Sequence, residues 1–181
     1  MENDRIGRAR LGAMLQAQSE GRTSNPELEQ AAKRAENRIT ERTGHQSEKR
    51  FVEFASKSPI VKLVSSASAL SDVYEGIDRW VQLVDGFRLP PLPVQIKSSF
   101  RGVELFMHGD PSQNKRPNYS FEKLHGLILV INSGPSTNLG LFNSQMRKEI
   151  GRVVRILDKN PDFMKDLANI TPNRLKNNTQ S

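Results

Sequence analysis

The stretch IDRWVQLVDGFRLPPLPVQIKSS, residues 77–99, reads as two strands around a turn. Residues 77–84 and 92–99 are rich in apolar and β-branched side chains, and between them Asp85-Gly86 and Pro90-Pro91 supply the chemistry of a hairpin connection. Strand side chains alternate faces, so Gln95 and Lys97 project together while Val94, Ile96 and Ser98 take the other side. With residues 77–84 as the neighbouring strand, Asp78 falls opposite the end of the second one. A carboxylate, an amide oxygen and an ammonium then share one cleft.

Upstream, GHQSEKRFVEFASKSP predicts a helix that starts after a break at Gly44 and ends at Pro59. Phe51, Val52 and Ala55 stand three, four and seven residues after Glu48, which puts this glutamate on the edge of the core-facing stripe. Residues 26–43 predict an earlier helix with Pro26 at its first turn. Its apolar positions are mostly alanine, and residues 1–43 hold 8 basic against 7 acidic side chains, so a solvated extension is expected there. Between Pro59 and Gly76, PIVKLV supplies a short strand or a helical turn, and SSASALSDVYEG a polar connection.

Downstream, FRGVELFMHG predicts a short helix, the Pro- and Asn-rich segment to Pro117 a loop, and HGLILVINSG a buried strand. Leu141, Phe142, Met146, Ile150, Val153, Val154 and Leu157 recur at helical spacing and predict an amphipathic helix. Residues 159–181 read as a polar tail. The domain expectation is therefore an N-terminal extension (1–43), a folded core (44–158) and a tail (159–181).

Composition narrows the function classes. The chain has 181 residues and no cysteine, which excludes disulfides, thiolate metal sites and a cysteine nucleophile. Basic residues outnumber acidic ones, 27 to 20, a balance that favours a polyanionic partner such as nucleic acid. No apolar run approaches the roughly 18 residues of a membrane span, and a soluble, cytoplasmic protein is expected. His45, His108 and His125 are scattered without ligand spacing, so no zinc site is assigned.

Gly76-Ile77-Asp78 followed by Val94-Gln95-Ile96-Lys97-Ser98-Ser99, with Glu48 on a preceding helix, resembles the PD-(D/E)xK (restriction endonuclease-like) nuclease superfamily. The likeness is to the variant in which Gln replaces the second acid, and it extends over residues 44–158. It implies an α/β fold with a small mixed central sheet flanked by helices in the order α-β-β-β-α-β. It also implies an endonuclease that hydrolyses DNA with Mg²⁺ or Mn²⁺; the preference for DNA over RNA comes from the superfamily's usual substrates. By the same resemblance Asp78 is the principal metal ligand, Gln95, the Ile96 carbonyl and Glu48 are further ligands, and Lys97 orients or activates the attacking water or stabilises the developing charge.

That chemistry makes physical sense, because phosphodiester hydrolysis needs charge neutralised on phosphorus and a water made nucleophilic. Gln95 offers only a neutral oxygen, which weakens cation binding and leaves the number of ions open. It also leaves an alternative, a non-catalytic nucleic-acid-binding or protein-interaction module on a nuclease-like scaffold. Ser98, Ser99 and Arg101 are candidate phosphate contacts, against a plain helix cap at Ser98 or Ser99 with an exposed arginine. Arg147, Lys148, Arg152 and Arg155 make a basic helix face that either tracks a phosphate backbone or is simply solvated. Trp80 is expected under a helix, and Asp72 and Glu75 in a solvated loop. A homodimer is compatible with the sequence.

Overall fold

Four strands form one mixed sheet in the order β1-β2-β3-β4: β1 (Val61–Ser66), β2 (Arg79–Leu83), β3 (Leu92–Lys97) and β4 (Leu129–Asn132). The computed structural model describes residues 26–67 and 76–171. It separates into two units, Met1–His45 and Gln46–Ser181. In the first unit the described residues are helical, and Arg34 Nη2 donates to Gln30 Oε1 at 3.4 Å, one turn away. Asp72 and Glu75 lie outside the described residues.

Helix α1 runs Pro26–Lys57 with Gly44 inside it, where the sequence reading places a break. A lone glycine costs a helix only about 1 kcal/mol relative to alanine, which the Ala, Glu, Gln, Lys and Arg residues around it offset. Further along α1, Phe51 and Ala55 are buried as their spacing implies, whereas Val52 is 41% exposed. Pro59 then ends the helix and the chain enters β1.

β1 and β2 are antiparallel, with a register irregularity between Val61 and Leu63. β2 and β3 form the hairpin read from the sequence, pairing Arg79 with Val94, Trp80 with Pro93 and Val81 with Leu92. Its connection is a short 3-10 turn, Asp85–Phe87, closed by Arg88 in the left-handed region at φ 48°. β3 then pairs in parallel with β4, from Val94 opposite Leu129 to Lys97 opposite Asn132. A parallel pair needs a crossover, and helices α2 (Phe100–His108) and α3 (Tyr119–Lys123) lie on it. α4 (Leu139–Lys159) follows β4, so the elements of the second unit run helix, three strands, helices, strand, helix.

Alternation along β3 sorts the core into two layers. On one face Val94 and Ile96 join Phe51, Ala55, Phe142, Met146, Ile150 and Val153 of α1 and α4. On the other, Trp80, Val130 and Ile128 join Phe106 of α2 and Leu124, and Trp80 is wholly buried as expected. The fold does not stop at Asp158. A further helix, α5 (Phe163–Ile170), buries Leu167 completely and sets Phe163, Met164 and Ile170 against the core, so its described part is no tail. Phe163, Met164, Leu167 and Ile170 stand at helical spacing but over only eight residues, a run too short to stand out, and burying one leucine contributes about 2 kcal/mol.

β4 ends the sheet, and α4 covers its outer edge with side chains. Gln145 exchanges two hydrogen bonds with the Asn132 main chain, receiving from its N–H at 3.0 Å and donating to its carbonyl at 3.2 Å. Glu149 Oε2 accepts from Val130 N at 3.1 Å, and Arg152 donates to the carbonyls of Ile128, at 2.6 Å, and Gly126. The match is geometric: four helical residues advance about 6 Å, two strand residues about 6.6 Å. One helix face thus does the work of a fifth strand.

Candidate metal and catalytic site

Asp78 stands immediately before β2, where its N–H still donates to Val94 O at 2.9 Å. Its carboxylate turns across to β3: Oδ2 accepts from Ile96 N at 2.5 Å and from Gln95 Nε2 at 2.7 Å. The β2–β3 ladder ends at the Arg79–Val94 pair, and for Ile96, beyond that pair on β3, the Asp78 side chain takes the place of the ladder. The N–H and C=O of one strand residue point the same way, so the Ile96 carbonyl is directed to the edge that Asp78 occupies.

Gln95 and Lys97 project from the opposite face to Val94 and Ile96, toward α2. Lys97 Nζ lies 4.6 Å from the centre of the Phe106 ring, a cation-π contact over a buried aromatic. Burial holds the Lys97 ammonium below its ordinary pKa, against the opposing pull of the Asp78 charge. Gln95 is buried, and a side chain added at Gly76 would meet its Oε1 at 3.3 Å and Ser120 Oγ at 3.4 Å. Gly76 also has φ +58°, a conformation that a Cβ disfavours.

Glu48 reaches the same end of the sheet from α1 and is held through Arg79. Arg79 Nη2 donates to Glu48 Oε2 at 2.7 Å, and Nη1 to the Asp78 carbonyl at 3.0 Å. Arg79 escapes notice in the sequence because it sits directly beside Asp78. Its signal is the hairpin register, which pairs it with Val94 and so turns it to the face covered by α1.

The ends of β3 and β4 are clamped together. Ser133 N donates to Lys97 O at 2.8 Å, and Arg50 Nε of α1 donates to Ser133 O at 2.9 Å. At Gly134 the chain passes so close to Lys97's neighbour that an added Cβ would lie 2.0 Å from Ser98 O. Of the candidate phosphate contacts, Ser99 caps α2 by accepting from Gly102 N at 3.1 Å. Arg101 is exposed and lies 3.5 Å from Asp110, whose carboxyl is held below the usual range chiefly by the Ser112 hydroxyl. On α4, Arg152 is committed to the β4 carbonyls and to Glu149 at 2.7 Å, which takes it out of the basic face expected to track phosphates. Lys148 and Arg155 line a groove of about 290 Å³ between α2 and α4, with Phe100 and Val103 opposite.

Among the described residues no three Asp, Glu or His side chains cluster as a ready-made ion cage. The groups that meet at Asp78 are the Ile96 N–H and the Gln95 side-chain amide, and the hard oxygens available beside its carboxylate are the Ile96 carbonyl and the Gln95 amide oxygen. The amide presents Nε2 to Asp78, since two facing oxygens would repel. A half-turn about its soft terminal torsion presents Oε1 instead. This set fits a hard divalent cation with one anionic ligand and water completing the shell.

Comparison with known proteins gives no match: no family model fits the chain, and no curated protein or solved structure is significantly similar to it.

Proposed function

We propose that this chain is a divalent-metal-dependent endonuclease that hydrolyses DNA phosphodiester bonds with an activated water. The observation that carries the reading is the docking of Asp78 onto the Gln95-Ile96-Lys97 segment, with hydrogen bonds of 2.7 and 2.5 Å and a half-desolvated lysine beside them. The element order around this segment, α-β-β-β-α-β, supports a restriction endonuclease-like fold.

Asp78, Ile96 and Gln95 would hold Mg²⁺ or Mn²⁺, which neutralises charge on the scissile phosphate and acidifies a bound water. Lys97 supplies the proton chemistry of the chain itself. With its pKa lowered by burial it spends more time neutral than a surface lysine and can accept a proton from water; when charged it stabilises the phosphorane. The Phe106 ring and the Ser133–Lys97 hydrogen bond fix where that amine stands. Ser98, the exposed Phe100 and the exposed Arg101 follow Lys97 in the chain and are the candidate contacts for a bound strand.

A specific feature favours a second reading. Asp78, Gln95 and Ile96 satisfy one another without a cation, as they would in a non-catalytic nucleic-acid-binding or protein-interaction module. Cleavage of branched, nicked, duplex and single-stranded DNA and of RNA, with Mg²⁺ and Mn²⁺, separates the two. Cleavage by the wild type that Lys97→Ala and Asp78→Asn both lose supports the nuclease. Binding of any of these substrates without metal-dependent cleavage selects the module.

A further inference from the structure

We infer that Arg79 is a built-in cation that keeps Glu48 away from the metal, so that the site takes a single divalent ion on Asp78, Ile96 and Gln95. The inference rests on the metal-dependent reading above and assigns Glu48 a different part from the one its resemblance implies.

A second ion would have to share Asp78 with the first and draw on another carboxylate, because paired ions in phosphodiesterases stand about 3.5–4 Å apart between bridging anions. Glu48 is the acid positioned to supply it. Its Oε2 is already 2.7 Å from Arg79 Nη2, and the other nitrogen of the same guanidinium is 3.0 Å from the Asp78 carbonyl. Arg79 therefore ties Glu48 to the main chain at Asp78. Both partners are sheltered, with side chains 22% and 33% exposed, so solvent screens the pair less than a surface ion pair. A guanidinium cannot shed its proton to make room for a metal. Strand pairing sets the Arg79 side chain on the face packed by α1, and its two hydrogen bonds hold the guanidinium there. A divalent ion drawn to Glu48 would meet the positive charge of Arg79, 2.7 Å from its carboxylate.

Arg79 is thus a positioning residue, and its removal should change how many ions bind. Mn²⁺ titrations of the full chain by calorimetry, on the wild type, Arg79→Gln, Arg79→Lys, Glu48→Gln and the Arg79→Gln/Glu48→Gln double variant, test this. The wild type is expected to bind one ion. Arg79→Gln should bind a second, or bind the first at least tenfold more tightly, and the gain should vanish in the double variant and in Arg79→Lys. Glu48→Gln alone should keep wild-type stoichiometry and affinity, and it decides the matter if Arg79→Gln does not fold. Two ions on the wild type, an unchanged Arg79→Gln, or a tenfold loss in Glu48→Gln each overturn the inference while leaving a metal site standing. No ion on any variant overturns the metal-dependent reading and the inference together.

Discussion

Replacing Asp78 with alanine removes an acceptor that serves two donors of β3. Ile96 is 7% exposed, and its N–H has the Asp78 carboxylate as its partner at 2.5 Å. A charge-assisted hydrogen bond contributes about 1.5–3 kcal/mol, and a buried donor left unmade costs a similar amount. The Gln95 amide, 2.7 Å from the same oxygen, loses a further bond worth about 1 kcal/mol. Asp78→Ala should therefore destabilise the metal-free protein by about 2–4 kcal/mol. Asp78→Asn keeps an acceptor for Ile96 and should lose about half of that. Metal changes the comparison: an ion held with a Kd of about 1 mM and present at about 10 mM stabilises the folded state by about 1.4 kcal/mol. The wild type should gain this increment, and neither variant should. Urea unfolding followed through Trp80, the sole tryptophan and fully buried, reports all these numbers. An alanine variant within about 0.5 kcal/mol of the wild type without metal, or equally stabilised by Mg²⁺, would refute the reasoning.

Three further outcomes follow from the geometry. The folded pKa of Lys97 lies below its free value of 10.5, so the unfolded chain holds the proton more tightly. The cost of burying the charge is then fully present below the folded pKa, and stability rises with pH from there up to about 10.5. Lys97→Met should be more stable than the wild type at pH 7, lack that slope and cleave nothing; a less stable methionine variant contradicts the assignment. Glu149→Leu strands Val130 N–H and unpairs a sheltered Arg152, for a loss of about 3–5 kcal/mol, with Glu149→Gln losing less because it keeps an acceptor. Thermal unfolding checks both, and equal effects would mean that only side-chain volume matters at this position. Gly134→Ala should cost about 2–3 kcal/mol and lower activity, since its Cβ must push the chain away from Ser98; crystals showing an unmoved Lys97 would contradict the second effect.

The hairpin, the buried β4 and the long α4 are legible in the sequence because period-2 and period-3.6 patterns are strong there and turn residues bracket them. The grouping of Asp78 with Gln95 follows from strand alternation plus one pairing assumption, which the register of β2 on β3 supplies; alternation turns the Ile96 side chain away, and its contact with Asp78 is made by the main chain. Arg79 was beyond reach for the reason that makes it useful: its partner Glu48 is 31 residues away on a different layer, and no local pattern encodes that distance. Arg152 shows the opposite error. Its place on a basic helix face suggests solvent or phosphate, but the edge of β4 offers buried carbonyls, and a guanidinium supplies several donors at once. α5 stays hidden because its helical spacing lasts only eight residues and lies between polar segments, although Leu167 is wholly buried.

The β4 end of the sheet has a consequence for strand addition. At β4 the N–H groups of Val130 and Asn132 and the carbonyls of Gly126, Ile128 and Asn132 are taken by Gln145, Glu149 and Arg152, so an incoming strand finds these groups occupied. β1 pairs within the sheet only with β2. The β4 edge therefore opposes strand addition, the step by which an open sheet edge recruits further chains.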